Sequence, residues 1–154
     1  MRTFVHESRL TIERPLSELF PFFADAANLG KITPPWLRFE ILTPQPIAME
    51  PGALINYRLT LRFIPIRWRT KITVWEPPFR FVDEQVKGPY RLWRHEHRFD
   101  EKDGATVMTD RVEYAVWGGA IVEKLFVRRD VERIFAHRNS VLSEMFSPRL
   151  DERP

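Results

Sequence analysis

The first residues alternate between two sets, Phe4, His6, Ser8, Leu10 and Ile12 against Thr3, Val5, Glu7, Arg9 and Thr11. This period of two predicts a strand over residues 2–12. Pro15 then opens a short helix, since its missing N–H would be unpaired in a first turn anyway, and Leu16, Leu19, Phe20 and Phe23 recur at helical spacing. From Ala26 to Leu37, Gly30 and the Pro34-Pro35 pair predict a second short helix or turn that breaks before Trp36, a candidate cavity rim.

Between Phe39 and Trp117 the chain reads as six strands in series. Turns are expected at Glu50-Pro51-Gly52, Ile64-Pro65, Glu76-Pro77-Pro78, Lys87-Gly88-Pro89 and Lys102-Asp103-Gly104. Ile55, Tyr57, Leu59, Leu61 and Phe63 share one face of the second long strand, and Ile66, Trp68, Thr70, Ile72 and Val74 one face of the next. After Gly118-Gly119 the period becomes helical, with an apolar stripe of Leu125, Val127, Val131, Ile134, Phe135, Leu142 and Met145. About 27 residues in this helix would span roughly 40 Å. The domain is expected to occupy residues 1–147, with residues 148–154 as a frayed tail.

Composition narrows the class. At 154 residues, 44% hydrophobic and 29% charged, the chain has an ordinary globular balance and the length of one domain. Twelve Phe and five Trp are more than a core of this size needs, which suggests the lining of a wide apolar space. Without cysteine there is no disulfide framework, thiolate ligand or cysteine nucleophile. The start, MRTFVHESRL, lacks the apolar core of a signal peptide, and no run approaches the roughly 18 apolar residues of a membrane span. A cytoplasmic protein is the expectation.

One strand, two short helices, six antiparallel strands and a closing helix define an α+β chain. Its seven-stranded sheet has one apolar face to bury, and the long helix is the only element large enough to cover it. A sheet of that width curls, and one helix does not fill the whole concavity, so a cavity is expected between them. The Asp103-Gly104 pair suits a two-residue type I′ turn and sets the register of the last hairpin. Phe99 then faces Met108, His97 faces Asp110, His95 faces Val112 and Trp93 faces Tyr114, all on the concave side.

This element order, with the motifs GPYRLWRHEHRF (88 to 99) and MTDRVEYAVWGG (108 to 119), resembles the START-like, helix-grip superfamily, also called SRPBCC or polyketide cyclase/dehydrase-like. The resemblance runs from Phe4 to about Phe146. It implies a helix-grip fold and a hydrophobic small molecule in the cavity. Within that superfamily stand lipid and sterol carriers, coenzyme Q-binding proteins, hormone receptors and aromatic-ring cyclases, so the fold bounds the class and not the ligand.

Candidate chemistry centres on the last hairpin. A hydrogen bond from His97 to Asp110 would orient the imidazole as an acid or base, and the plainer reading of that pair is a satisfied polar contact at the wet end of a core. Tyr57, Trp68, Trp93 and Tyr114 combine an apolar body with a polar tip, suited to an amphipathic ligand and equally to plain core. Arg138 falls near the helical stripe, where it either snorkels to solvent or reaches inward to an acceptor such as Asp110 or an acidic ligand group. His95 and His97 offer only two metal ligands on one strand face, fewer than a zinc site uses, so no metal and no cofactor are expected. His6 has inward parity, and His137 lies at helical spacing from Ile134 and Val141.

On the convex face Arg58, Arg62, Arg67, Arg69, Lys71, Arg94 and Arg98 form a basic band broken by Glu96. Such a band suits anionic lipid headgroups in a peripheral membrane contact, or is simply a solvated sheet face. Stacking aromatics are not interleaved with it, Trp75 near a strand end apart, which points away from nucleic acid.

The leading expectation is a binder or carrier of a small hydrophobic molecule, of lipid, quinone, sterol or aromatic polyketide class, rather than an enzyme. Its ligand contacts would be Tyr57, Trp68, Trp93, His95, His97, Asp110, Tyr114 and Arg138. Second comes a cofactor-independent cyclase or dehydratase that uses His97 and Asp110. A third possibility is an interaction module that docks through the convex band or the rim around Pro34 and Trp36. The pattern leaves the oligomeric state open, since an exposed Trp36 or Trp75 would serve a dimer contact as well as a ligand gate.

Overall fold

The computed structural model describes residues 1–147, so the expected tail at 148–154 lies outside the described residues. Strand β1 (Phe4–Ile12) leads into helix α1 (Leu16–Phe23), and two 3-10 turns follow at Ala26–Ile32 and Pro35–Leu37. Trp36 sits inside the second turn, where a break before it was expected. Six strands then run in series: β2 (Glu40–Ile41), β3 (Leu54–Leu61), β4 (Ile64–Glu76), β5 (Arg80–Lys87), β6 (Leu92–Lys102) and β7 (Ala105–Ala115). The helical segment comprises α2 (Gly119–Val122), a π turn (Glu123–Val127) and α3 (Arg128–Met145).

All seven strands form one antiparallel sheet in the order β1-β7-β6-β5-β4-β3-β2, so the first strand is stitched to the last. The β6–β7 register is the one that the Asp103-Gly104 turn dictates. Lys102 pairs with Ala105, Phe99 with Met108, His97 with Asp110, His95 with Val112 and Trp93 with Tyr114. Both turn residues hold positive φ, 53° at Asp103 and 78° at Gly104, as a type I′ turn requires.

The concave face is buried in three patches. Leu16, Leu19, Phe20 and Phe23 of α1 pack with Phe99, Met108 and Leu142. Tyr57, Leu59 and Trp68 pack near Leu37 under the 3-10 turns. Val112 and Tyr114 pack against Val131 and Phe135 of α3. The helix thus grips the sheet through its middle and C-terminal turns.

Three expectations from simple alternation are corrected. The β3–β4 turn consists of Arg62 and Phe63, because Leu61 pairs with Ile64, and Phe63 stands in solvent at the tip instead of continuing the inward face of β3. A register shift between Ile72 and Val74 inserts one residue, which turns Trp75, not Val74, toward Phe20 and Phe81. The π turn adds a residue to one helical turn and rotates the stripe, so Leu125 is exposed and Glu123 is buried in its stead. Tyr114 donates to the Glu123 carboxylate at 2.8 Å, and Arg128 binds the same group from outside.

The α1 patch should dominate stability. Phe99 is 1% exposed and contacts the rings of Phe20, Phe23 and Phe81. Phe99→Ala should cost about 3–5 kcal/mol in chemical denaturation. A loss below about 1 kcal/mol would show that this region is not closely packed.

Candidate functional site

Between the sheet, the 3-10 turns and α3 lies a cavity of about 200 Å³, walled mainly by apolar and aromatic side chains. Strands β3 and β4 supply Tyr57 and Trp68, stacked at 5.9 Å, and β6 supplies Trp93, edge-on to Trp68 at 5.5 Å. Tyr90 closes on Trp93 at 4.7 Å. Its loop is pinned by Gln85, which donates to the Tyr90 carbonyl at 2.8 Å and accepts from the Tyr90 N–H at 3.1 Å.

The polar end of this cavity is built by three adjacent strands and one helical residue. His95 and His97, two apart on β6, point to the same side and stack at 3.6 Å, and Phe81 stacks on His97 at 3.9 Å. On β5 the residue opposite His95 is Asp83, and on β7 the residue opposite His97 is Asp110. The hydrogen bonds run diagonally. His97 Nε2 meets Asp83 Oδ2 at 2.6 Å, and His95 Nε2 meets Asp110 Oδ1 at 2.8 Å.

The expected His97–Asp110 hydrogen bond is therefore replaced. Residues that face each other in register share a side of the sheet, yet long rings reach the diagonal neighbour as easily as the opposite one. His97 Nδ1 still lies 3.4 Å from Asp110 Oδ1. Asp83 is the residue that sequence reasoning missed. The alternation Phe81, Asp83, Gln85 was its signal, blurred by Val82, which is apolar and wholly buried on the other parity.

Arg138 completes the cluster from α3. It is buried, so it does not snorkel, and its Nη2 lies 3.3 Å from Asp110 Oδ1 and 3.4 Å from His97 Nδ1. Donation from Arg138 to Nδ1 leaves the His97 proton on Nε2, directed at Asp83. Burial lowers His97 to about 4, with His95 adding to the effect and Asp83 opposing it, so its imidazole is neutral near pH 7. Burial alone would raise Asp110, but Arg138 and the His95 hydrogen bond outweigh it and hold the carboxyl well below its usual range. Asp83 is likewise pushed up by burial and brought below its ordinary value by the His97 bond and the neighbouring charges.

Of the expected ligand contacts, Tyr57, Trp68, Trp93, His95, His97 and Arg138 line the cavity. Asp110 lies behind His95 and Arg138, and Tyr114 turns its hydroxyl to Glu123, so neither is on the wall. His6 packs on Phe135 at 4.9 Å, and His137 meets Trp36 edge-on at 5.5 Å. Within two of the lining residues, Trp68 Nε1 and Arg138 Nε are enclosed without a hydrogen-bond partner.

Asp83, His95 and His97 also present metal-ligand atoms within 4.8 Å of one another, so β5 adds a third ligand to the two read from sequence. The 2.6 Å between His97 and Asp83 is hydrogen-bond spacing. Ligands on one zinc ion, with bonds near 2.1 Å, stand roughly 3.4 Å apart. The geometry is thus that of a hydrogen-bonded cluster with a guanidinium beside it.

The convex band is largely tied down: Arg58 pairs with Glu40, Arg98 with Glu96, Arg94 with Glu84 and Arg69 with Asn56. Arg62 leaves the band altogether. It sits in the β3–β4 turn and reaches Asp130 at 3.1 Å.

Residues 12–136 match the family described as polyketide cyclase/dehydrase and lipid transport. No curated protein matches significantly in sequence. Among solved structures, ginseng major latex-like protein 151 from Panax ginseng is similar with a TM-score of 0.70 at 10% identity, over 95% of this chain and 99% of that one. Zhui aromatase/cyclase from a Streptomyces species is similar with a TM-score of 0.67 at 14% identity, over 95% and 98%. Norcoclaurine synthase from Thalictrum flavum has a TM-score of 0.64 at 13% identity, over 93% and 88%. At these identities the likeness establishes the fold.

The cluster makes stability depend on pH. His97 takes its proton at about 4 when folded and near 6.5 when unfolded, and burial lowers His6 in the same direction. Stability should therefore be whole above about pH 6.5 and fall by up to roughly 3 kcal/mol toward pH 4. Asp83 and Asp110, depressed in the fold, extend the loss at lower pH. Urea midpoints measured across pH should show this slope, and His97→Asn should remove most of its part above pH 4. A wild-type midpoint constant from pH 7 to pH 4 would contradict the buried neutral imidazole.

Proposed function

The chain belongs to the polyketide cyclase/dehydrase and lipid transport family, and from that premise we propose that its cavity binds a small hydrophobic molecule carrying a hydrogen-bond acceptor. The observation that carries this reading is the cavity itself, about 200 Å³, with Tyr57, Trp68 and Trp93 on its apolar wall and His95, His97 and Arg138 at its polar end. A ligand carbonyl, phenolate or carboxylate would meet the guanidinium and imidazoles of that polar end. Tyr57, Trp68 and Trp93 supply flat faces for a ring system. A space of about 200 Å³ exceeds the roughly 150 Å³ known to hold benzene. One or two fused rings fit it better than a sterol or a long acyl chain.

The second reading, a cofactor-independent enzyme, is favoured by a different observation. A neutral His97, oriented by Asp83 through Nε2, would take a proton from a bound carbonyl compound at Nδ1 once Arg138, now 3.4 Å from that nitrogen, turned its guanidinium to the developing oxyanion. The pair to test is His97 with Asp83, because the hydrogen bond of Asp110 goes to His95.

Native mass spectrometry followed by denaturing extraction separates these readings. A stoichiometric apolar adduct, reduced at least about tenfold in affinity by Trp93→Ala, supports the binder, since removing an indole that a ligand covers forfeits more than about 1.4 kcal/mol. Turnover of an extracted carbonyl compound that His97→Asn abolishes, with binding retained, supports the enzyme. Protein that is empty and rejects quinones, aromatic polyketides and fatty acids would overturn both.

A further inference from the structure

One end of the molecule leaves six large apolar side chains in water: Phe63 and Ile64 at the β3–β4 turn, and Trp117, Ile121, Leu125 and Phe126 where the helical segment begins. They form one surface. Arg62 lies over the Phe126 ring at 5.6 Å and donates to the Phe126 carbonyl at 2.9 Å, which ties the turn to the helix. Trp117 and Phe126 wall the same groove, with Val122 on its floor.

The turn itself is chosen against ordinary preference. Arg62 and Phe63 both hold left-handed backbone, with φ of 48° and 69°. Asn, Asp and Gly fill such turns because they tolerate that conformation, and a bulky side chain there costs free energy. Arg62 is anchored by Asp130 and Phe126, but Phe63 is 99% exposed, so its own side chain makes no contact that offsets its share of the cost. A strained, wholly solvated phenylalanine at a hairpin tip points to a surface that receives it.

The charges around this end identify that surface. Asp130 neutralises Arg62, and Glu123 neutralises Arg128. Arg91, stacked over Trp117 at 5.2 Å, together with Lys124 and Arg129, has no acidic partner among the described residues. A second copy of this chain would set like cations against each other, and a protein partner would need a pocket shaped to the protruding turn. A lipid bilayer receives a protruding ring without such a pocket and holds tryptophan and basic residues at its headgroup level.

We propose that this end is a docking surface for an anionic membrane. Phe63, Ile64, Ile121 and Leu125 enter the boundary between headgroups and acyl chains, and Arg91, Lys124 and Arg129 meet lipid phosphates. Docking rests on the exposed surface alone and does not require the proposed ligand. It nonetheless places the membrane beside the cavity, since Leu61, Tyr90 and Ile134 line both the cavity and the groove.

Sedimentation with vesicles of phosphatidylcholine, with and without phosphatidylglycerol, tests this on the whole chain. The protein should partition onto the anionic vesicles, and less so as salt rises. Phe63→Asn should lower the partition about tenfold or more while keeping or raising the thermal midpoint, because Asn suits the left-handed turn. Ile121→Ser combined with Leu125→Ser, both on the exposed helical surface, should act alike. No partition onto either vesicle, or a Phe63→Asn variant that binds as well as the parent, would overturn the proposal. So would a concentration-dependent dimer that Phe63→Asn abolishes, because the patch would then belong to a second copy.

Discussion

The cavity's polar end turns on one buried cation. Arg138 comes from the helix, Asp110 from the strand at the centre of the β1–β7–β6 stitch, and their contact at 3.3 Å joins the two layers where apolar packing is interrupted. Asp110 meets this guanidinium, and Asp83 and Asp110 each accept from an imidazole. Such a group is costly to bury, and replacement by apolar residues is often neutral or stabilising in other proteins. Its presence here therefore calls for a role beyond holding the helix, and its position at the wall of the cavity supplies one.

Around that cluster the cavity has two characters. Tyr57, Trp68 and Trp93 give flat apolar faces, while Arg138, His95 and His97 give a polar end with fixed directions. A binding site needs both, one for affinity and the other for orientation. The distribution of protons suits the proposed binding. With His97 neutral and both acids depressed, the polar end offers a settled pattern of donors and acceptors near neutral pH. The family allows binding and cyclase chemistry alike, and the same atoms serve either, which is why the proton-transfer reading differs from the binding reading in what the ligand is and not in how it is held.

Much of the architecture was legible in the sequence, because it follows from local rules. Alternation gave the strands, and the Asp103-Gly104 turn fixed the β6–β7 register and with it the inward faces of Trp93, His95 and His97. What failed was phase. One extra residue in β4 reversed Trp75, and one in the π turn exposed Leu125 and buried Glu123, since neither insertion leaves a mark in composition. Phe63 was misplaced because a hydrophobic residue was read as core, when its turn had been built from residues that ordinarily avoid one. The diagonal pairing of the histidines was beyond reach, as it depends on which of two near-equidistant carboxylates a ring meets, and Asp83 comes from a strand whose alternation is blurred. Of the cavity's lining, the sequence named Tyr57, Trp68, Trp93, His95, His97 and Arg138, but not Asp83.

The central claim is that a ligand enters the cavity walled by Trp68 and Trp93. Trp68 N–H can be observed directly by ¹H–¹⁵N NMR, where the five tryptophans give separate side-chain signals and Trp68→Phe assigns the one in question. Titration with an aromatic carbonyl compound of one or two rings should move the Trp68 and Trp93 signals through ring contact and leave Trp117 in place. If Trp68 and Trp93 stay fixed for every such compound, or if only the exposed Trp117 and Trp36 respond, the cavity is not the binding site and the account fails.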